Sequence, residues 1–280
     1  MREHLDHFIG GKTVPPKNGK YLADLNPATL ERIAGVADGG PEDIDIAVAA
    51  AKDAFPQWRD RRPIERGRIL IDMARKIREK KAEITAMERL ETGMPLALAD
   101  LLIEAAAQYF ELYAGLVNAI QGETIDLGAS FHSYTRREPL GVVGVITPWN
   151  APLNQACRDG AAALCAGNTV VIKPSSFTSA STLELARLAC EECGMPAGVL
   201  NVVAGSGERA GEALVTHPDV RKVDFTGSVE AGRKVAMGAA NRIIPVTLEL
   251  GGKSSDIIFS DADFEKAAVG VVRAFVLNVG

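Results

Sequence analysis

Apolar positions along the chain follow two regimes. Between residues 141 and 250, short and uniformly apolar runs alternate with amphipathic stretches. "VVGVI" (142–146), "TVVIK" (169–173), "VLNVV" (199–203), "KVDF" (222–225) and the run over 245–250 read as strands. Helices are predicted between them near 153–166, 178–193, 208–216 and 229–239, with Gly194 and Pro196 closing the second. Strands that are apolar on both faces and joined by helices pair in parallel beneath helical cover. The expected fold is therefore α/β with a doubly wound parallel sheet, whose ligands bind at the carboxyl ends of the strands.

Upstream the pattern is helical. "PEDIDIAVAAAKDAFPQW" opens with Pro41 at a favoured first-turn position and sets Ile44, Val48, Ala51 and Phe55 on one stripe. Two further helices are expected over 63–90 and 95–120, separated by Gly93, Met94 and Pro95. Before them, "NPATLERIAGVADG" turns at Asn26-Pro27 and continues as a short apolar run. Residues 121–140 alternate over short runs, which suits a paired, extended arm with no core of its own; such an arm must pack on something else, for instance another subunit. After 250 the strand–helix pattern restarts with "DIIF" (256–259), Asp261 as N-cap and a helix from about 263, as though a second α/β domain begins there.

Composition narrows the class without identifying the chemistry. The 280 residues are 47% hydrophobic and 24% charged with a net charge of −5, as in soluble globular proteins, and nothing points to nucleic-acid binding. The one locally basic stretch, "RDRRPIERGR" (59–68), has apolar neighbours at helical spacing (Ile64, Leu70, Met73, Ile77) and reads as a solvated helix start. No apolar run approaches a membrane span, and the polar "MREHLDHFIGG" is no signal peptide, so a cytoplasmic location with reduced thiols is expected. Cys190 and Cys193 form a C-x-x-C, but with no second pair and no nearby histidine they read as ordinary helix cysteines, and no metal site is expected.

Each strand end carries an unusual group: "TPWN" (147–150), "KPSS" (173–176), "AGSGERAG" (204–211), "FTGSVEAG" (225–232) and "LELGGK" (248–253). Glycine-rich turns entering helices expose backbone N–H groups to an anion. Gly227, Ser228 and Gly232 suit a pyrophosphate, whereas Gly205, Gly207 and Gly211 are spaced one residue too widely for the usual dinucleotide fingerprint. Lys173 either holds a ribose or phosphate or is simply solvated. Glu249 raises a separate question, because it is one carboxylate inside a strand of the sort normally buried, with Gly251 and Gly252 just beyond it.

In this order and spacing, "PWN", "VIKPS", "FTGSVEAGR" and "LELGGK" closely resemble the aldehyde dehydrogenase superfamily over essentially the whole chain. The resemblance implies a Rossmann-like NAD(P)-binding domain over 1–120 and 141–251, an oligomerisation hairpin over 121–140, and an incomplete catalytic domain from 252. By this resemblance Glu249 is the general base that activates water to hydrolyse a thioester, and the Asn150 amide stabilises the oxyanion. Lys173 holds the adenosine ribose. Gly227, Ser228 and Gly232 form the pyrophosphate turn and its helix, and Thr147, Pro148, Trp149 and Leu250 join the cofactor-binding set. Ser176 departs from many NAD-preferring members, which carry glutamate there; without that charge NADP is expected to be accepted.

The family's nucleophilic cysteine is expected a few positions beyond Gly280, and none of Cys157, Cys165, Cys190 and Cys193 matches it, so the chain as it stands is expected not to oxidise aldehydes. The implied activity is NAD(P)-dependent oxidation of an aldehyde to an acid by a homodimer or homotetramer. The competing readings are a non-catalytic nucleotide-binding fragment and a reductase of related fold. A reductase has no use for the hydrolytic base in "LELGGK".

Overall fold

The computed structural model describes residues 3–276. Strands β1 (His4–Leu5), β2 (His7–Ile9), β3 (Lys12–Val14), β4 (Tyr21–Leu25) and β5 (Arg32–Ala37) come first. Helices α1 (Pro41–Arg59), α2 (Pro63–Glu79), α3 (Lys81–Thr92) and α4 (Leu96–Leu116) follow. A hairpin of β6 (Thr124–Ile125) and β7 (Ser133–Tyr134) leads to β8 (Val142–Ile146), α5 (Pro152–Cys165), β9 (Thr169–Lys173), α6 (Ala180–Glu191) and β10 (Leu200–Val202). A π-helical turn, Gly207–Gly211, enters α7 (Glu212–Thr216), and β11 (Val220–Gly227), α8 (Val229–Arg242), β12 (Val246–Leu250) and α9 (Phe264–Val276) complete the order.

The main sheet runs β12-β11-β8-β9-β10-β2-β3. Its first five strands are parallel, and the N-terminal segment adds β2 and β3 antiparallel at one edge. Starting at β8, the chain winds outward through β9 and β10, then returns to place β11 and β12 on the other side. The direction of winding therefore reverses between β8 and β11, and that crevice is where doubly wound sheets bind their ligands. Alternation along each strand feeds two cores. Val143, Val145, Val170 and Ile172 pack toward α2–α6, whereas Val142, Ile146, Val171, Val223 and Phe225 pack toward α1, α7 and α8.

The expected doubly wound sheet is present, and several details differ from the sequence reading. The helix expected over 63–90 is two helices broken at Lys80, and α3 ends at Gly93, whose φ of +73° suits glycine. Phe55 is only partly buried and stacks under Arg59; Trp58, fully buried, takes the core position and donates to the Leu164 carbonyl at 3.1 Å. Arg66, within the stretch read as solvated, is buried at the end of α5, where it donates to the carbonyls of Arg61 and Cys165. Residues 256–259 form no strand, because no strand among the described residues lies beside them, and Asp263 rather than Asp261 accepts the first-turn N–H of α9, from Lys266. The hairpin at 121–140 is present, with Ile125, Leu127, Phe131 and Tyr134 exposed.

Candidate active site

Lys173 ends β9 beside the crevice. It is buried, not solvated, and its ammonium donates to the carbonyls of Pro174 at 2.6 Å and Gly205 at 3.4 Å. Burial pulls its pKa down to about 8, which readies it to gain from an acceptor that replaces lost water. Ser176 follows in the same loop, partly buried. Gly211, the last residue of the π turn, lies against the Lys173 stem, where an added Cβ would sit 3.6 Å from Cδ. The 204–211 loop thus borders the lysine and supplies it a carbonyl.

Across the switch point, Ser228 caps α8, its Oγ accepting from the Ala231 N–H at 3.2 Å. The remaining first-turn N–H groups face outward at the positive end of a helix dipole. Gly232 lies one turn further on, and a Cβ there would meet Leu250 Cδ2 at 2.5 Å. Glycine at 232 is therefore what lets α8 and the end of β12 approach. Gly227 has a Phe225 ring 2.6 Å from any added Cβ.

Thr147 continues β8, with its N–H on the Lys173 carbonyl at 3.2 Å; its Oγ1 is buried and has no partner among the described residues. An orphaned hydroxyl at the switch point, a helix N-terminus and a buried lysine suit a dinucleotide with hydroxyl and phosphate groups to offer. Pro148 and Asn150 are partly buried and Trp149 is exposed, so the loop presents its amide and indole at the rim of the crevice.

Glu249 corrects the expectation of a buried acid. β12 is the edge strand; Val246 and Leu248 turn to the α8 core, and the alternate residues Thr247 and Glu249 are exposed on the opposite face. Glu249 is paired in register with Thr226, whose Oγ1 accepts from Arg158 of α5 at 2.9 Å. Glu249 and the α5 helix that begins beyond Asn150 therefore share one face. A groove of 410 Å³ continues along that face past Tyr113, Arg158, Lys222 and Asp224. A separate cavity of 340 Å³ lies beside α6, but its Arg187 is taken by Glu184 and Glu191.

Sequence reasoning missed the supports beneath these loops. α5 has no side-chain cap of its own; the Leu153 N–H donates instead to Glu88 Oε1 of α3 at 2.7 Å, and Ser181 Oγ of α6 donates to the same oxygen at 2.8 Å. Glu91, one turn on, accepts from the N–H groups of Ser179 at 3.1 Å and Ala180 at 3.0 Å, so it caps α6. Asp24 of β4 lies against Glu91, both buried. Burial pushes Asp24 up to about 6 and Glu88 up to about 7; Glu91 goes well above its ordinary range through burial and then the Asp24 charge. Glu91 therefore caps α6 while lying against Asp24. The four thiols are all raised by burial, so none has the character of an activated nucleophile.

Fold and crevice together define a dinucleotide-binding α/β domain. The aldehyde dehydrogenase family model matches residues 14–280. An aldehyde dehydrogenase from Enchytraeus buchholzi is 42% identical over 278 residues, covering 98% of this chain and 56% of the relative. The NAD⁺ complex of an aldehyde dehydrogenase from Bacillus cereus superposes with a TM-score of 0.95 at 41% identity, covering 99% of this chain and 57% of the other. An NADP-dependent enzyme of E. coli gives 0.95 at 38% identity, covering 98% and 57%. The chain belongs to the aldehyde dehydrogenase family, and it spans about 56% of the length of the curated relatives it matches. Among the described residues no helix is long and apolar enough to cross a membrane.

Proposed function

We propose that this chain is the cofactor-binding part of an NAD(P)-dependent aldehyde dehydrogenase that oxidises an aldehyde to a carboxylic acid. The observation that carries the reading is the convergence at one switch point of buried Lys173, the orphaned Thr147 hydroxyl and the Ser228-capped N-terminus of α8, with Glu249 on the neighbouring strand. Lys173 and Ser176 would hold the adenosine ribose. Gly227, Ser228 and Gly232 would receive the pyrophosphate on the α8 dipole, and Thr147, Pro148, Trp149 and Leu250 would wall the cleft. When bound, the nicotinamide supplies the hydride acceptor. The protein's own share is to orient the aldehyde, stabilise the oxyanion with the Asn150 amide, and take a proton from water with Glu249.

Residues 252–276 begin the second, catalytic lobe, which matches their exposed apolar side chains Ile257, Phe259, Phe264 and Phe275. The 121–140 hairpin joins copies into a homodimer or homotetramer. In this reading the chain binds NAD(P), and none of its four cysteines, all raised by burial, serves as the nucleophile. The test is calorimetric titration of the chain with NAD⁺ and NADP⁺, paired with turnover of a free aldehyde, without CoA or phosphate, by a protein carrying this chain and the nucleophilic cysteine. Absence of both nucleotide binding and aldehyde-dependent turnover would reject the reading.

Ser176 sets the choice of nucleotide in this reading. Ser176→Glu places a carboxylate where a 2′-phosphate would lie, and like charges in close contact are costly. NADP⁺ affinity is expected to fall by about 10–100-fold while NAD⁺ affinity holds or rises. Competitive titration of the two nucleotides on wild type and variant measures the shift, and equal losses for both would show that Ser176 does not face the 2′ position.

A further inference from the structure

We propose that α3 is the positioning element of the nucleotide cleft: Glu91 and Glu88 hold the first turns of α6 and α5, and through them the strand-end loops that carry Ser176 and Asn150. The inference rests on the cleft assignment above and adds two residues that touch neither cofactor nor substrate.

The geometry is one of shared acceptors. Glu88 Oε1 takes the Leu153 N–H of α5 and the Ser181 hydroxyl of α6, so one oxygen fixes two helix starts relative to each other. Glu91 takes the Ser179 and Ala180 N–H groups. The two glutamates lie three residues apart on α3 and so share a face. Each helix start is the far end of a short connection from a strand: β8 through 147–151 to α5, and β9 through 174–179 to α6. Neither helix has a side-chain cap from its own N-cap residue, Ala151 or Ser179. Without α3, the first-turn N–H groups at 153, 179 and 180 would be buried and unpaired, and the loops would lose their outer anchor. α3 therefore acts as a clamp laid across two adjacent strand ends.

The clamp depends on an acceptor oxygen at a fixed place, because Glu91 Oε1 takes both the Ser179 and the Ala180 N–H. Glutamine at 91 keeps the acceptor; alanine removes it.

The test is calorimetric titration of NADP⁺ into the full chain as wild type, Glu91→Ala, Glu91→Gln and Ser181→Ala, each below its unfolding onset as followed by circular dichroism. Glu91→Ala is expected to bind about tenfold more weakly, the scale of one lost helix cap, and Glu91→Gln to return within about threefold of wild type. Ser181→Ala removes only a hydroxyl and keeps its fold, and it is expected to weaken binding by about threefold or more through the Glu88 arm. A folded Glu91→Ala chain with wild-type affinity overturns the inference. If Glu91→Ala does not fold, wild-type affinity in Ser181→Ala overturns it instead. Failure of Glu91→Gln to rescue also overturns it, because the acceptor would then not be what matters. A wild-type chain that binds neither NADP⁺ nor NAD⁺ removes the cleft assignment and this inference together, whereas wild-type binding with indifferent variants removes this inference alone.

Discussion

In a protein that supplies the nucleophilic cysteine, Glu249→Gln is expected to lower steady-state aldehyde oxidation by roughly 10²–10⁴-fold, the usual contribution of a positioned general base. The substitution keeps size and shape on an exposed edge-strand position, so stability should not change. What it removes is the ability to take a proton from water. Acyl-enzyme should therefore accumulate, visible by intact mass as the variant protein plus the acyl group, while acid release slows. The β12 register favours this role over a structural one, because Glu249 stands beside Thr226 on the open, exposed face. Unchanged turnover in Glu249→Gln, or loss of turnover without trapped acyl-enzyme, would place the base elsewhere.

The elements that were legible in the sequence are those whose partners are local or repetitive. β8 and β9 matched their apolar runs residue for residue, because central strands must be apolar on both faces whatever surrounds them. Lys173, Gly232 and Ser228 were legible as strand-end chemistry. The burial of Lys173 was not, because it depends on Pro174 and on Gly205, 32 residues further along the chain. Glu249 was misread as buried because an apolar run looks the same whether the strand is central or at the edge; only the sheet order, with β12 outermost, exposes its alternate face. "MERLETG" gave no sign of its role at all. Two glutamates three apart on a helix ordinarily mark a solvated face, and their partners lie 65 to 93 residues away in sequence. One signal lay at α5, which begins after Ala151, a residue with no capping side chain, so its buried start calls for an acceptor from elsewhere; α6 begins after Ser179, whose hydroxyl donates to the Ser175 carbonyl instead of capping, and the sequence does not show that.

Glu88→Gln is expected to make the fold less sensitive to pH between about 4.5 and 7 and more stable above that window. Glu88 is fully buried, and its carboxyl titrates at about 7 in the folded chain against an ordinary value near 4.5. Because the folded-state value is raised, the folded chain holds a proton that the unfolded chain has released between those two values. The contribution of Glu88 is therefore fully favourable below about pH 4.5 and is lost as pH rises through 7, by about 3 kcal/mol for a shift of this size. Glutamine keeps the oxygen that accepts from Leu153 and Ser181 and does not titrate. Urea unfolding of wild type and Glu88→Gln at several pH values between 5 and 8 should show curves close together at the acid end. They should separate toward neutrality, with the variant the more stable by about 3 kcal/mol. Parallel curves would mean that Glu88 is ionised in the folded chain throughout. Paired surface carboxylates such as Glu104 and Glu111, held below their ordinary range mainly by hydrogen bonds from Arg78, push the other way, but they act equally on both proteins and cancel in the difference.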